Sequence, residues 1–427
     1  MLSHEDNELL TRTGPGTPMG NLLRRYWVPA LLSSEIAKPD SPPVRVKLMG
    51  EELLAFRDSN GDVGLVDEFC PHRKVSLYFG RNEECGIRCV YHGWKFDIAG
   101  HCTDMPSEPQ ESRFKERVKI KSYPCRERGG IIWTYMGPQE HMPGLPELEW
   151  AMVPDSHRYV TKRVQHNNYF QAIEGGIDSS HISFLHRGGG GQGFNGLKAF
   201  EQSSVPKYLT KDTAPKFEVE KSNFGLLIGA KRNAEEGHLY WRITPFLMPW
   251  YTMVPPFENV PRGAHAWVPI DDEHVWTWSM NWNPLRPLTL FERSVLDEGR
   301  GIHVDPKQTR ENEYLLNRDL QASGKSFTGI KGVGAQDMAV QETQGSIADR
   351  TGEILGTSDA AIIMARRIML KAVRDLMEGK EPPALDMSSQ HVRSASVVLP
   401  EGVPFQVGAK DVLFTKDGDY VLDPENV

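Results

Sequence analysis

The chain has 427 residues, enough for two or three domains with cores of their own. Its 49 basic and 57 acidic residues give a formal net charge of -8, without any block of like charges, which disfavours nucleic acid and anionic membranes as partners. The start MLSHEDNELLTRTG lacks the parts of a signal peptide, and no run reaches the roughly 20 apolar residues of a membrane span. A cytoplasmic protein is therefore expected.

Short strands are predicted between residues 44 and 136. The segment VRVKL alternates apolar and basic residues, Asn60-Gly61 is a strong hairpin turn, and GGIIWTYMG is a further strand bounded by glycines. These patterns predict a small all-β domain at 41–140, preceded by a helical segment at 1–40.

Strands and helices mix after a proline-rich linker at about 136–150. The segment HVWTWSMNW places Trp276, Trp278, Met280 and Trp282 on one face of a strand. A helix is predicted to begin after the cap residues Thr357-Ser358-Asp359 and to stop at Gly379. We expect an α+β domain at 150–390 and a tail at 391–427, which could contain a short hairpin.

Five cysteines, an odd number, argue against a disulfide framework. Two of them belong to paired motifs, Cys70-x-His72 and Cys89-x2-His92. Free thiols without a further role are expected at the remaining three positions, Cys85, Cys102 and Cys125.

Two loops that each present one Cys and one His suit a [2Fe-2S] cluster with two thiolates on one iron and two imidazoles on the other. Neutral histidines raise the potential of such a cluster to about -150 to +300 mV, which suits electron transfer from a ferredoxin or flavin reductase. Zinc also uses mixed Cys and His ligands, but its motifs normally open with C-x2-4-C, and these do not.

A second constellation lies in NNYFQAIEGGIDSSHISFLH, residues 167–186. Two histidines and a distant carboxylate would hold Fe(II) on one face and leave the other open. On a regular helix His181 and His186 would point about 140° apart, so we predict that the helix ends or carries a π-bulge there. Asp178 could accept the second N–H of His181. The alternative is that both histidines are ordinary surface or capping residues.

The pattern C-x-H…C-x2-H-G-W resembles the Rieske family, which implies that Cys70 and Cys89 bind one iron and His72 and His92 the other. Joined to D-x2-H-x4-H downstream, it resembles the oxygenase component of Rieske ring-hydroxylating oxygenases over nearly the whole chain. This resemblance implies an all-β Rieske domain followed by an α+β catalytic domain of the helix-grip type.

The resemblance also implies a third iron ligand, an Asp often found within a Glu-Asp or Gln-Asp step at the start of a helix, and VGAQDMAVQETQGSIADR fits. Asp337 is the first choice, with Asp349 as the fallback. In the family, oligomers place one subunit's cluster beside the neighbour's iron, which implies that His92 meets Asp178 across the interface and that Asp178 touches His181.

Glu174 is followed by Gly175 and Gly176, where naphthalene-type enzymes have Asn after the Glu. Together with the opening RTGPGTPMGNLLRRYWVP, this departure resembles the phthalate dioxygenase branch, built from one type of subunit. A homotrimer or a pair of stacked trimers is expected.

The glycine-rich stretch GGGGQG, residues 188–193, formally matches a dinucleotide motif but follows a helix instead of a strand. A mobile loop covering the substrate is the better interpretation. Without a flavin or NAD fingerprint elsewhere, electrons are expected from a separate NAD(P)H-dependent reductase carrying flavin and a 2Fe-2S centre.

The branch acts largely on aromatic acids, and binding such an anion calls for a buried cation. Arg242, on an apolar strand, is the first candidate, with an ion pair within the sheet or a snorkelling edge position as the alternative. Lys207 is the second. We therefore expect a dioxygenase that uses O2 to convert an aromatic carboxylate, phthalate-like or a substituted benzoate, into a cis-dihydrodiol. The alternatives are an O-demethylase or aryl-ether-cleaving oxygenase, and a non-catalytic Rieske electron carrier.

Overall fold

The structure is a computed structural model that describes residues 1–188, 205–257, 260–297, 307–416 and 418–424. The chain divides into two compact units, one of residues 13–145 and one of residues 1–12 together with 146–427. The expected segment 1–40 is thus split between the units. Residues 1–12 join the larger unit because the backbone N–H of Leu2 donates to the carbonyl of Arg350 and the Asn7 amide donates to that of Ala348.

The smaller unit contains one short helix, α2 (Pro18–Leu23), and three antiparallel sheets. The sheets have the orders β1-β11-β10, β2-β3-β4-β9 and β5-β6-β7-β8. The strands are β1 (Trp27–Leu32), β2 (Val44–Leu48), β3 (Glu51–Arg57), β4 (Val63–Asp67), β5 (Arg81–Glu83), β6 (Gly86–Arg88), β7 (Lys95–Phe96), β8 (Cys102–Asp104), β9 (Ser122–Tyr123), β10 (Cys125–Arg128) and β11 (Ile131–Tyr135).

The two strongest local predictions for this unit are confirmed. VRVKL forms β2, with Val46 and Leu48 buried against the unit's interior. Asn60-Gly61 forms the turn between β3 and β4, where Gly61 has a φ of 92° and the Asp58 carboxylate accepts from the backbone N–H of Asn60 at 2.9 Å.

The larger unit is built on one eight-stranded antiparallel sheet of order β12-β18-β17-β16-β15-β14-β13, with β19 added against β15. Its strands are β12 (Arg158–Gln165), β13 (Lys216–Ser222), β14 (Gly225–Asn233), β15 (His238–Leu247), β16 (Tyr251–Val254), β17 (Arg262–Pro269), β18 (Val275–Trp282) and β19 (Ala395–Pro400). The described helices of this unit are α1 (His4–Thr11), α3 (Glu149–Met152), α4 (Tyr169–Ile177), α5 (Val205–Lys211), α6 (Leu290–Asp297), α7 (Arg318–Ala322), α8 (Val333–Glu342), α9 (Ala360–Met377), α10 (Phe405–Gly408) and α11 (Lys410–Leu413).

Both elements predicted for this unit are present. The segment HVWTWSMNW forms β18, whose Trp278, Met280 and Trp282 are almost fully buried. The predicted long helix is α9, which ends just before Gly379.

The tail differs from the expected short hairpin. In the described residues it contributes β19, which pairs along β15 from His238 to Ile243 and so extends the sheet. None of the helices in these ranges combines the length and apolar character that crossing a membrane would require.

Helix α4 is held by a buried carboxylate between two arginines. Glu174 accepts from Arg350 at 2.8 Å and from Arg366 at 2.7 Å, and both arginine side chains are almost fully buried. Burial acts to raise the pKa of Glu174, but the charges and hydrogen bonds of the two arginines outweigh it and leave that pKa below its usual value. The ion pairs with Arg350 and Arg366 thus allow the Glu174 carboxylate to stay ionised although it is buried.

Two glycines let α4 lie close to its neighbours. A Cβ on Gly175 would stand 2.3 Å from the Gln341 amide nitrogen, and one on Gly176 would stand 2.9 Å from the Thr252 hydroxyl. A side chain at either position would require the helix or the facing side chain to shift. The Gly-Gly step after Glu174 therefore fixes how closely α4 packs against α8 and the sheet.

Replacing Glu174 by Gln should destabilise the larger unit by about 3–5 kcal/mol, because the buried Arg350 loses its carboxylate partner and Arg366 keeps only Glu353. For a unit of this size the melting temperature should fall by roughly 6 °C or more. As the control, Glu8→Gln removes a solvent-exposed carboxylate that also pairs with an arginine, Arg12, and should cost about 0.3–0.5 kcal/mol. Equal melting shifts for the two variants would contradict the structural role assigned to Glu174.

Candidate functional site

The two Cys-His loops of the smaller unit have the same backbone geometry. In each, the cysteine N–H donates to the carbonyl five residues on, Val75 or Trp94, at 2.9 Å. The cysteine carbonyl accepts from the residue four positions on, Lys74 or Gly93, and both of these residues have positive φ. The spacing predicted two hairpin-like loops, and the structure makes them near duplicates.

These loops bury their thiols and leave their imidazoles nearer the surface. Cys70 and Cys89 are 2% and 3% exposed, and His72 is exposed. The His72 and His92 rings lie 4.4 Å apart, and Trp94 stacks on His72 at 4.4 Å and 9°. Burial, reinforced by the neighbouring thiol, raises the pKa of Cys70 to about 11, so two adjacent thiolates here would need a cation.

The irregularity predicted between His181 and His186 is present. Helix α4 ends at Ile177, Asp178 follows in extended conformation, and a single 3-10 turn runs over His181–Ser183. This change of direction brings the Nε2 atoms of His181 and His186 within 3.2 Å of each other. Two nitrogens bound to one metal at about 2.1 Å, and about 100° apart, would have about that separation.

Asp337, from the first half of α8, completes the set. Its Oδ1 lies 3.3 Å from His186 Nε2 and 3.7 Å from His181 Nε2, and the donor atoms of the three residues all lie within 4.8 Å of one another. Burial acts to raise the pKa of Asp337, but the two histidines and Arg163 keep it below its usual value. Two imidazoles and an ionised carboxylate on one face fit a facial triad.

The far nitrogen of each histidine is also occupied. The Nδ1 of His181 faces Asp178 Oδ2 at 3.4 Å, as the three-residue spacing predicted. The Nδ1 of His186 faces Gln336 Oε1 at 2.7 Å. Sequence reasoning missed Gln336, and the one available clue was its position next to Asp337.

A cavity of about 460 Å³ opens onto the three donors. Its apolar wall comes mainly from the sheet and the segments that join its strands, while α8 and the turn after α4 supply the donors. The apolar lining includes Ile182, Leu209, Val254, Pro255, Pro256 and Phe257.

Arg242, on β15, lines this cavity and is 3% exposed. Within the described residues, its Nε and Nη1 have no hydrogen-bond acceptor and its guanidinium has no ion-pair partner. The alternative of an ion pair within the sheet therefore finds no support in this part of the chain. Its guanidinium carbon lies 5.8 Å from the ring centroid of Phe257.

Arg232, on the adjacent strand β14, shows what a satisfied buried arginine looks like in this sheet. It is 1% exposed, and it donates to the carbonyl of Ser179 at 2.6 Å and to that of Asp212 at 3.1 Å. Arg232 therefore holds the turn after α4, whereas Arg242 finds no acceptor for two of its donors among the described residues.

The remaining candidates lie elsewhere. Lys207 is absent from the described lining of the cavity: its side chain is 62% exposed and its ammonium pairs with Glu235 at 3.0 Å. Asp349 accepts from Thr351 and lies outside the donor set. The stretch 188–193 lies outside the described residues except for Gly188. Three cysteines are free, as expected: Cys85, Cys102 and Cys125.

Comparison with known proteins places this arrangement in a family. A family model described as Rieske [2Fe-2S] domain matches residues 26–124, and one described as LigXa C-terminal domain like matches residues 134–407. The oxygenase subunit of 3-chlorobenzoate-3,4-dioxygenase from Comamonas testosteroni is 39% identical over 424 residues, covering 94% of this chain and 96% of that protein. The phthalate 4,5-dioxygenase oxygenase subunit of Pseudomonas putida is 40% identical and covers 89% and 88% of the two chains.

The solved structure of dicamba monooxygenase bound to dicamba is 17% identical, with a TM-score of 0.56 over 84% of this chain and 100% of that one, and it shares the fold. The chain belongs to the Rieske non-heme iron oxygenases and is an oxygenase component of a multicomponent system. Its cofactors are a Rieske [2Fe-2S] cluster and a non-heme Fe(II). The predicted fold class, a β-rich Rieske domain before an α+β catalytic domain, is confirmed.

Removing the Asp337 carboxylate should release the mononuclear iron and leave the cluster in place. Asp337→Ala should lower the iron content from about three to about two atoms per chain, with the EPR signal of the reduced cluster retained. Asp349→Ala is the matched control and should keep about three. If Asp349→Ala loses iron and Asp337→Ala does not, the fallback ligand is the correct one.

Proposed function

We propose that this protein hydroxylates an aromatic carboxylate, a substituted benzoate or a phthalate-like acid, to a cis-dihydrodiol. It would use O2 and two electrons from a separate NAD(P)H-dependent reductase. The observation that carries the substrate class is Arg242, a buried cation with unused donors in the wall of a largely apolar cavity.

For the metal centres, we propose that Cys70 and Cys89 bind one iron of the cluster and His72 and His92 the other. His181, His186 and Asp337 would bind the mononuclear Fe(II). When bound, these centres supply the activation of O2 and the transfer of electrons. The chain's own residues supply the position of the substrate, the exclusion of water and the orientation of the ligands.

Arg242 would bind the carboxylate of the substrate. A buried ion without a partner costs several kcal/mol. A ligand of opposite charge would pair with Arg242, and its binding free energy would include the recovery of that cost. A guanidinium presents two parallel N–H groups that match the two oxygens of a carboxylate. The apolar remainder of the cavity would receive the ring and hold it against the three metal-binding side chains.

The size of the cavity agrees with such a substrate. Its volume of about 460 Å³ lies in the range of roughly 300–1,000 Å³ that is usual for small-molecule sites. Among the described lining residues Arg242 is the buried arginine, whereas Arg187 is exposed. Apolar walls with a buried cation favour a single-ring acid over a neutral hydrocarbon, which would bring Arg242 no opposite charge.

We further propose a cytoplasmic homo-oligomer, a trimer or a pair of trimers. In it, His92 of one copy would contact Asp178 of the next, and that Asp178 would also contact His181, linking the two metal centres. Within one chain Asp178 already faces His181 Nδ1 and accepts from the Ser180 N–H at 2.6 Å. These two contacts hold its carboxylate in place for such a role.

A single-turnover experiment tests the reaction and the substrate class together. The reduced protein, without a reductase, is mixed with O2 and a panel of substituted benzoates, phthalate and methoxybenzoates, and the products are identified by mass. An acid that gains both oxygen atoms as a diol supports the proposal. Consumption of methoxy or ether compounds alone, with loss of the alkyl or aryl group, would replace it with dealkylation.

The same assay tests Arg242. Arg242→Gln should weaken the apparent affinity for the acid roughly 30- to 1,000-fold, the equivalent of about 2–4 kcal/mol for a lost charge pair. It should bind the corresponding carboxamide about as well as the unaltered protein does. Lys231→Gln removes a cation from the neighbouring strand, where it pairs with Glu218, and should leave affinity unchanged. An equal loss of affinity for acid and carboxamide would show that Arg242 acts on the fold and not on the charge.

Asp178→Asn should leave both metal centres filled and lower turnover by about 100-fold, because the amide cannot replace the carboxylate between the two centres. Iron content and the EPR signal of the cluster report on occupancy, and steady-state rates report on turnover. Normal turnover with full occupancy would remove Asp178 from the electron path.

A further inference from the structure

Gln336 is a fully buried side chain, the first residue of the Gln-Asp step, and the resemblance assigns it no role in the site. It lies on α8, immediately before Asp337, and both ends of its amide are used. Its Oε1 lies 2.7 Å from His186 Nδ1, and its Nε2 lies 2.8 Å from the carbonyl oxygen of Ile330.

The Ile330 carbonyl determines which way this amide points. A backbone carbonyl can only accept a hydrogen bond, so the group that faces it must be the NH2 of Gln336. The amide oxygen therefore faces His186, and it can only accept. His186 must then carry its proton on Nδ1, which leaves the lone pair on Nε2.

That lone pair points where the other two donors meet, 3.2 Å from His181 Nε2 and 3.3 Å from Asp337 Oδ1. The Nδ1 of each histidine thus faces an oxygen acceptor, but the acceptors differ: His181 faces the carboxylate of Asp178 and His186 faces a neutral amide. The shorter contact is the one made by the amide.

We propose that Gln336 is the positioning residue for His186: it fixes the tautomer and ring orientation that let His186 bind Fe(II). This inference rests on the iron site proposed above. Because Gln336 and Asp337 are adjacent on one helix, α8 carries both a metal-binding side chain and the group that orients a second one. The Arg163 side chain holds the start of this helix by donating to the Gly334 carbonyl at 3.0 Å.

Two substitutions separate the contact with His186 from the contact with Ile330. Gln336→Leu removes both hydrogen bonds. Gln336→Glu keeps an acceptor for His186 Nδ1 but cannot donate to the Ile330 carbonyl. The measurement is the Fe(II) affinity of the mononuclear site, determined by competition with a chelator on the full chain with its cluster in place, together with the EPR spectrum of the ferrous nitrosyl complex.

Gln336→Leu should weaken Fe(II) binding by about 10- to 100-fold and change the rhombicity of the nitrosyl spectrum, as expected for the loss of a partner behind a metal-binding histidine. Gln336→Glu should stay within about threefold of the unaltered protein and keep its spectrum. The EPR signal of the reduced cluster should be the same in all three proteins. If Gln336→Leu does not fold, Gln336→Met gives the same comparison.

Unchanged affinity in Gln336→Leu would overturn the proposal, and so would an equal loss in Gln336→Glu, which would assign the effect to the Ile330 contact. The measurement needs neither substrate nor turnover, so an incorrect substrate class leaves it unaffected. An incorrect iron site would be recognised separately, because Asp337→Ala would then keep its mononuclear iron.

Discussion

The position of the whole catalytic site depends on one buried carboxylate. Glu174 lies between Arg350 and Arg366, which come from segments some 180 residues further along the chain. Removing this carboxylate would leave Arg350 without its buried ion pair and Arg366 with Glu353 alone, so the contact joins the three segments where they meet. Helix α4 is fixed by this contact, and its end then determines where Asp178 and His181 begin. The reactive residues are therefore placed by a group that takes no part in the chemistry.

The two Cys-His loops of the smaller unit repeat one backbone hydrogen-bond pattern, which directs each thiol inward and each imidazole outward. The second loop has an added support, because Arg88 donates to the Gly93 carbonyl at 2.8 Å and is itself paired with Glu83 and Asp104. Trp94 covers one face of His72 and leaves the ring edge available. The two thiols therefore lie in the interior and the two imidazoles nearer the surface, where they would hold the two irons of the proposed cluster.

Sequence reasoning succeeded where the chemistry is local. The Cys-His spacings, the break between His181 and His186 and the position of α9 all follow from residues close together in the chain. Other features depend on distant partners. Arg232 and Arg242 look equivalent in sequence, two basic residues on apolar strands, and they differ because the carbonyls of Ser179 and Asp212 reach only Arg232. The sequence marks Gln336 only as the neighbour of Asp337, and its contact with His186 depends on the fold. The pairing of β19 with β15 depends on the folded sheet, and the salt bridge of Lys207 depends on Glu235.

The cavity draws its two kinds of lining from different parts of the unit. The side chains proposed to bind iron come from α8 and the turn after α4, and Gly175 and Gly176 let α4 lie close to Gln341 and Thr252. The apolar wall and Arg242 come mostly from the strands and their connections. Variation in the strands can therefore alter what enters the cavity while the metal-binding helices remain as they are. Such a division would allow related proteins to differ in substrate specificity while they keep the same iron-binding residues.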